Sequence, residues 1–83
     1  MTSARKIAQQ LINLNIKVHK ISEWSDIEDG EIKLNDGYHV QVGIGYLCLN
    51  KSIYNSKGEL NSVRYILEDT TVVDIVKYFW ENE

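Results

Sequence analysis

Three side chains of this 83-residue sequence carry the chemistry most often recruited for catalysis or metal binding: His19, His39 and Cys48. A metal centre needs ligands grouped at short, characteristic spacings, and no HxxxH, CxxC or comparable pair occurs. Nucleophilic catalysis needs a nucleophile, a base and a group that orients the base. If His39 and Cys48 lie on adjacent strands, both point away from Val40 and Leu49 and share a sheet face. No oxyanion donor or pocket can be assigned beside them, so they read as an outer-face histidine and a half-buried cysteine acting as a small hydrophobe. Gly43-Ile44-Gly45 is too short for a dinucleotide or phosphate-loop fingerprint. The acids between positions 26 and 31 lack the spaced oxygen ligands of a calcium loop, and adjacent acids on a loop do not set the fixed separation across a cleft that glycoside hydrolysis requires. These residues imply a non-enzymatic protein with no catalytic residue, no cofactor and no metal.

Two other groupings suit recognition. In the segment Glu23-Trp24-Ser25-Asp26-Ile27-Glu28-Asp29-Gly30-Glu31, five of nine residues are carboxylates and none is basic. Such a segment repels phosphates and attracts cationic surfaces. Trp24 has two readings, folded back onto the core or exposed as an anchor beside the carboxylates. The second grouping is tyrosine. If Leu47, Leu49 and Ile53 face a core, then Tyr46, Cys48, Asn50, Ser52 and Tyr54 face away from it. Tyr65 on the next strand joins them. Tyrosine-bearing surfaces suit protein contacts because large rigid rings bury area at small entropic cost. The structural alternative is cross-strand aromatic pairing that only stabilises the sheet.

The elements that position these residues follow from periodicity. Ala4, Ile7, Ala8, Leu11 and Leu14 recur at helical spacing, predicting a helix from about Ser3 to Leu14 capped by Thr2 or Ser3. Residues 16–24 read as a first strand whose phase slips near Lys20-Ile21, and the acidic segment follows as a loop. Ile32 and Leu34 mark a short strand over 31–35. Asn35-Asp36-Gly37 is the strongest turn signal, and Tyr38, Val40 and Val42 then alternate with His39 and Gln41. Gly43-Ile44-Gly45 is a second turn or a bulge. Asn55-Ser56-Lys57-Gly58 is a hairpin loop, and a last strand spans about Leu60 to Leu67. Asp69 or Thr70 caps a second helix over Thr71–Glu81. Val72, Ile75, Val76 and Phe79 form its apolar stripe, Val73 and Trp80 flank it, and the aromatic end docks. The fold expected is α+β: an antiparallel sheet of four or five strands, with an N-terminal and a C-terminal helix on one face.

Composition bounds the rest. The length fits one domain, and 43% hydrophobic residues suffice for a core. A lone cysteine precludes an internal disulfide, which suits a reducing, cytoplasmic setting. No apolar run reaches the ~20 residues that span a bilayer, so no membrane is expected. Gln9, Gln10, Asn13 and Asn15 interrupt the sequence that would otherwise suggest a signal peptide. The net charge of −3 is unevenly spread: residues 1–20 hold Arg5, Lys6, Lys17 and Lys20 with no acid, while 21–36 hold six acids against Lys33. The basic and acidic segments either neutralise each other in space or make a polarised molecule with an acidic face.

The profile, short, acidic and poor in motifs, resembles accessory proteins of phages and other mobile elements, such as anti-CRISPR inhibitors and toxin immunity proteins. That resemblance implies an inhibitor or immunity-type role. The reading is a protein-interaction module that meets a basic protein partner through Glu23, Trp24, Asp26, Glu28, Asp29 and Glu31, through Tyr46, Tyr54 and Tyr65, or through both. Self-association through the sheet is a further expectation. The alternative is a nucleic-acid-binding or regulatory module using Arg5, Lys6, Lys17 and Lys20, against which the neighbouring acids argue.

Overall fold

A computed structural model describes residues 3–24 and 30–82. The elements run α1 (Ser3–Asn13), β1 (Val18–Glu23), β2 (Gly30–Leu34), β3 (Tyr38–Gly43), β4 (Tyr46–Tyr54), β5 (Leu60–Leu67) and α2 (Val72–Asn82). All neighbouring strands are antiparallel, and their order across the sheet is their order in the chain. Both helices join one hydrophobic core against one face of this meander. The expected α+β architecture is therefore present, with five strands. The reading of Ser25–Asp29 as a loop, and the cap at Thr2, lie outside the described residues.

Each boundary has a local cause. At the end of α1, Asn15 adopts φ of 68°. The Ile16 N–H donates to the Leu11 carbonyl at 3.0 Å and the Asn15 N–H to Ile12 at 3.0 Å, which is the paired bonding of a Schellman stop. The phase slip in β1 is a register shift between Val18 and Lys20. In the β2–β3 connection, Asp36 and Gly37 take φ of 61° and 84°, as the turn chemistry predicted. Gly43-Ile44-Gly45 resolves as a turn, because Gly43 pairs with Tyr46 and only Ile44 and Gly45 lie between them. Asn55 organises the β4–β5 loop: its Oδ1 accepts from the Lys57 and Glu59 N–H groups at 2.9 and 3.0 Å.

The start of α2 differs from expectation by one or two residues. Neither Asp69 nor Thr70 caps it; the Thr71 Oγ1 accepts from the Asp74 N–H at 3.2 Å. Thr70 is used otherwise, its N–H donating to the Leu47 carbonyl at 2.8 Å and tying the helix start to β4. Asp69 has φ of 49°, a turn conformation rather than the extended one of a cap.

The core follows the two periodicities. Ala4, Ala8 and Leu11 of α1 and Ile75 and Val76 of α2 pack on Ile32, Val40, Val42, Leu47 and Leu49, all buried. Small residues on α1 allow close approach. A Cβ at Gly30 would stand 2.6 Å from the Ser22 carbonyl oxygen and 2.7 Å from the Ala4 Cβ, so glycine there lets α1 lie against the sheet. Tyr38 closes the other end of the core. Its ring meets Phe79 edge-on at 4.9 Å between centroids and Tyr78 at 6.1 Å, and the Tyr38 and Tyr78 hydroxyls are 3.3 Å apart. The Lys51 Nζ lies 4.7 Å over the Tyr38 ring.

Candidate interaction surface

With both helices on one side, no helix or strand among the described residues covers the other face of the sheet. The strand registers say which residues it carries. Lys20 pairs with Lys33, Ser22 with Glu31 and Glu31 with Gln41. Gln41 pairs with Cys48, His39 with Asn50, Asn50 with Tyr65 and Tyr54 with Leu60. Because side chains alternate across a strand, these residues share the face opposite Val40 and Leu49. A shallow groove of about 490 Å³ crosses it, bordered among others by His19, Lys33, His39, Ser52, Tyr54 and Val63.

Of the residues expected to meet a partner, Tyr46, Tyr54, Tyr65 and Glu31 fall on this face. Tyr46, Tyr54 and Tyr65 are exposed at 43%, 57% and 63%. They do not touch one another. Tyr46 and Tyr54 stand at opposite ends of β4, and Tyr65 pairs with Asn50 midway, about 13 Å from each along the strand. The ring–ring contacts among the described residues are those of Tyr38, Tyr78 and Phe79 on the helix side, while Tyr54 stands directly opposite Leu60. Tyr46 has a fixed posture instead. A Cβ at Gly43 would stand 2.1 Å from the Tyr46 Cε1, so the ring lies across the bare backbone of the opposite strand.

The acidic group is only partly described. Asp26, Glu28 and Asp29 lie outside the described residues. Trp24, at the end of β1, is 57% exposed, so its indole does not fold back onto the core. The Glu23 carboxylate accepts from the Arg5 guanidinium of α1. Basic and acidic segments thus meet in space at this point. The four basic residues of the nucleic-acid alternative are not gathered on one surface: Arg5 and Lys6 belong to α1 on the helix side, whereas Lys20 stands beside Lys33 on the open face.

His39 and Cys48 share the open face, as the alternation implies, but they are diagonal neighbours: His39 pairs with Asn50, and Cys48 with Gln41. No hydrogen bond joins them, and among the described residues no group of three or more His, Cys, Asp or Glu is placed to hold a metal ion.

Several exposed residues were not singled out from the sequence. Leu60 (59%) and Val63 (39%) extend the apolar character of Tyr54 and Tyr65 along β5. Leu60 and Val63 are three residues apart, out of step with a period of two, and the register shift beside Tyr54 brings both onto this face. Asn50, by contrast, is buried at 2% exposure, and its Oδ1 has no hydrogen-bond partner among the described residues. On the helix side Trp80 is 73% exposed rather than docked, and Val73 is 69% exposed. The signal was available there: Val73, Val76, Lys77 and Trp80 recur at i, i+3, i+4 and i+7, a second stripe beside the core stripe of α2.

No protein-family model matches this chain, and no curated protein and no solved structure shows significant similarity to it.

Proposed function

We propose that this chain is a non-enzymatic protein-interaction module that binds a protein partner through the open face of its sheet. The observation that supports this most is the strip formed by Tyr54, Leu60, Val63 and Tyr65, each at least 39% exposed, on a face that neither helix covers. Exposed aromatic and aliphatic side chains gathered in one strip are the residue types that anchor protein interfaces. Glu31 on the same face, and the exposed Trp24 beside the acidic segment, suit a partner that presents basic residues. An inhibitor or immunity-type role is the form of activity that such a module performs: it occupies a surface of its target and needs no chemistry of its own.

The test is affinity capture from native host extract with three baits: the wild-type chain, a Tyr54→Ser/Tyr65→Ser variant, and an Arg5→Glu/Lys6→Glu/Lys17→Glu/Lys20→Glu variant. A protein retained by the wild type and the basic-residue variant, but lost from the tyrosine variant, is the expected result. Capture unaffected by the tyrosine changes would overturn it. So would salt-sensitive retention of labelled DNA or RNA that disappears with the basic residues.

A further inference from the structure

The apolar surface of α2 is separate from the sheet face. Val73 and Trp80 are 69% and 73% exposed, and with Val76, the Lys77 stem and Leu14 they border a groove of about 340 Å³ whose lining is entirely apolar. The same helix carries Asp74 and Glu81 on one flank of this stripe, and Lys77 forms no salt bridge with any of the described residues. We propose that this groove is the interface of a symmetric dimer, in which α2 packs antiparallel against α2 of a second copy.

The charges select a second copy. In an antiparallel pair related by a two-fold axis near Val76–Lys77, Val73 of one chain lies level with the partner's Trp80, so each indole covers a valine and the edge of the groove. The axis also carries like flank onto like flank. Lys77 then falls about 3 Å along the helix from the partner's Asp74 at a rise of about 1.5 Å per residue, with the partner's Glu81 one to two turns away. The stripe is self-complementary in shape and in charge, as an isologous contact requires. Its size sets the strength. Two 11-residue helices are each about 16 Å long. With Leu14 at their margin, they cover well under the ~800 Å² per partner of a standard stable interface. The dimer is therefore weak and reversible. It uses the helix layer, whereas self-association through the sheet would bury Tyr46, Tyr54 and Tyr65.

Sedimentation velocity from about 5 to about 500 µM tests this on the full chain, with circular dichroism to confirm folding of each variant. The wild type should shift from monomer towards dimer across the series. Val73→Glu, at an exposed position that tolerates charge in the monomer, should remain monomeric throughout. Lys77→Glu should weaken association at least ~10-fold by setting like charges together, and Asp74→Lys/Lys77→Glu should recover most of that loss. A wild type that stays monomeric at the highest concentration overturns the proposal. Dimerisation insensitive to Val73→Glu, or abolished by Tyr54→Ser/Tyr65→Ser with Val73→Glu still dimeric, overturns it equally.

Discussion

The contact between Tyr46 and Gly43 can be tested quantitatively, because the geometry predicts that one substitution changes sign with its background. Glycine inside a strand is worse than alanine by roughly 0.5–1 kcal/mol, through the freedom it has to give up on folding. Taken alone, Gly43→Ala should therefore stabilise the chain. In the wild type, however, the new Cβ would stand 2.1 Å from the Tyr46 Cε1 and 2.3 Å from its Cζ, closer than real contacts allow. The ring is a side chain and moves sooner than the strand, so it swings off β3 and into water. Tyrosine buries roughly 150–250 Å² when fully covered. Tyr46 is 43% exposed, so the covered remainder is worth about 2–3 kcal/mol at 25 cal/mol per Å². The part lying over Gly43 is a fraction of this, on the order of 1–2 kcal/mol. Gly43→Ala in the wild type should therefore cost about 0.5–1 kcal/mol net. In a Tyr46→Ala background nothing obstructs the methyl group, and the same change should stabilise by about 0.5–1 kcal/mol. Urea unfolding of the four proteins, followed by circular dichroism, gives the coupling energy directly. If Gly43→Ala stabilises both backgrounds alike, the ring does not lie on Gly43, and the fixed posture of Tyr46 on the open face is wrong.

Further outcomes follow from the core, the cap and the buried polar groups. Leu49→Ala empties a fully buried site at the centre of the sheet and should cost about 2–5 kcal/mol, most of the stability of a chain this size; a urea midpoint shift equivalent to under ~1 kcal/mol would contradict the packing. Thr71→Ala should cost about 1 kcal/mol and Thr71→Ser much less, since the hydroxyl caps the Asp74 N–H; equal losses would exclude Thr71 as the cap. The Tyr38 hydroxyl hydrogen bond and burial raise the Tyr78 pKa above the usual 10.0, against a smaller lowering by Arg64 and Lys51. Folded protein then keeps a proton that unfolded chain has lost. The stabilisation is whole below pH 10 and fades as pH rises through the folded pKa; Tyr78→Phe should flatten that decline, and an unchanged profile would contradict the hydroxyl pair. Asn50→Val should stabilise by about 1 kcal/mol, because it removes a buried acceptor with no donor and suits a strand; destabilisation would mean the amide has a partner in solution.

What was readable in the sequence was what short-range chemistry decides. Asn35-Asp36-Gly37 fixed the β2–β3 turn, because few residues accept the positive φ that Asp36 and Gly37 adopt. The alternation Tyr38-Val40-Val42 fixed which face was inside, and the turn at Ile44-Gly45 carried that phase into Leu47 and Leu49. Exposure was harder to read. Trp24 and Trp80 are large and apolar, which argues for burial, yet Trp24 follows the last residue of β1 and Trp80 lies beside the core stripe of its helix, and both are exposed. The cap of α2 moved to Thr71 because the Thr70 N–H is drawn to the Leu47 carbonyl, a partner 23 residues back in the sequence that no local rule supplies. The Tyr38–Tyr78 hydroxyl pair spans 40 residues and was equally out of reach. The three tyrosines on the open face were placed correctly by alternation. The separation of Tyr46 and Tyr54 along β4 was also implicit there, since eight residues of strand are longer than two tyrosine side chains can bridge.

The two proposed surfaces lie on opposite sides of one sheet, and this arrangement has a thermodynamic consequence. Coupling between two binding events requires that each ligand favour a conformation that the other also favours. The core between the surfaces is closely packed, with Ile32, Val40, Leu49 and Ile75 all fully buried, and the expectation is that it acts as one rigid body. Dimerisation through α2 should then leave the intrinsic affinity of the sheet face unchanged, and partner binding should leave the dimer constant unchanged. What dimerisation adds is valency. A target bearing two copies of its epitope would be held more tightly than one copy, by an effective concentration set by the geometry of the dimer. Val73→Glu separates these effects, because it should abolish the gain on a two-site target and leave single-site affinity as it was. A fall in single-site affinity would show that the two surfaces communicate, and that the sheet is not the rigid platform described above.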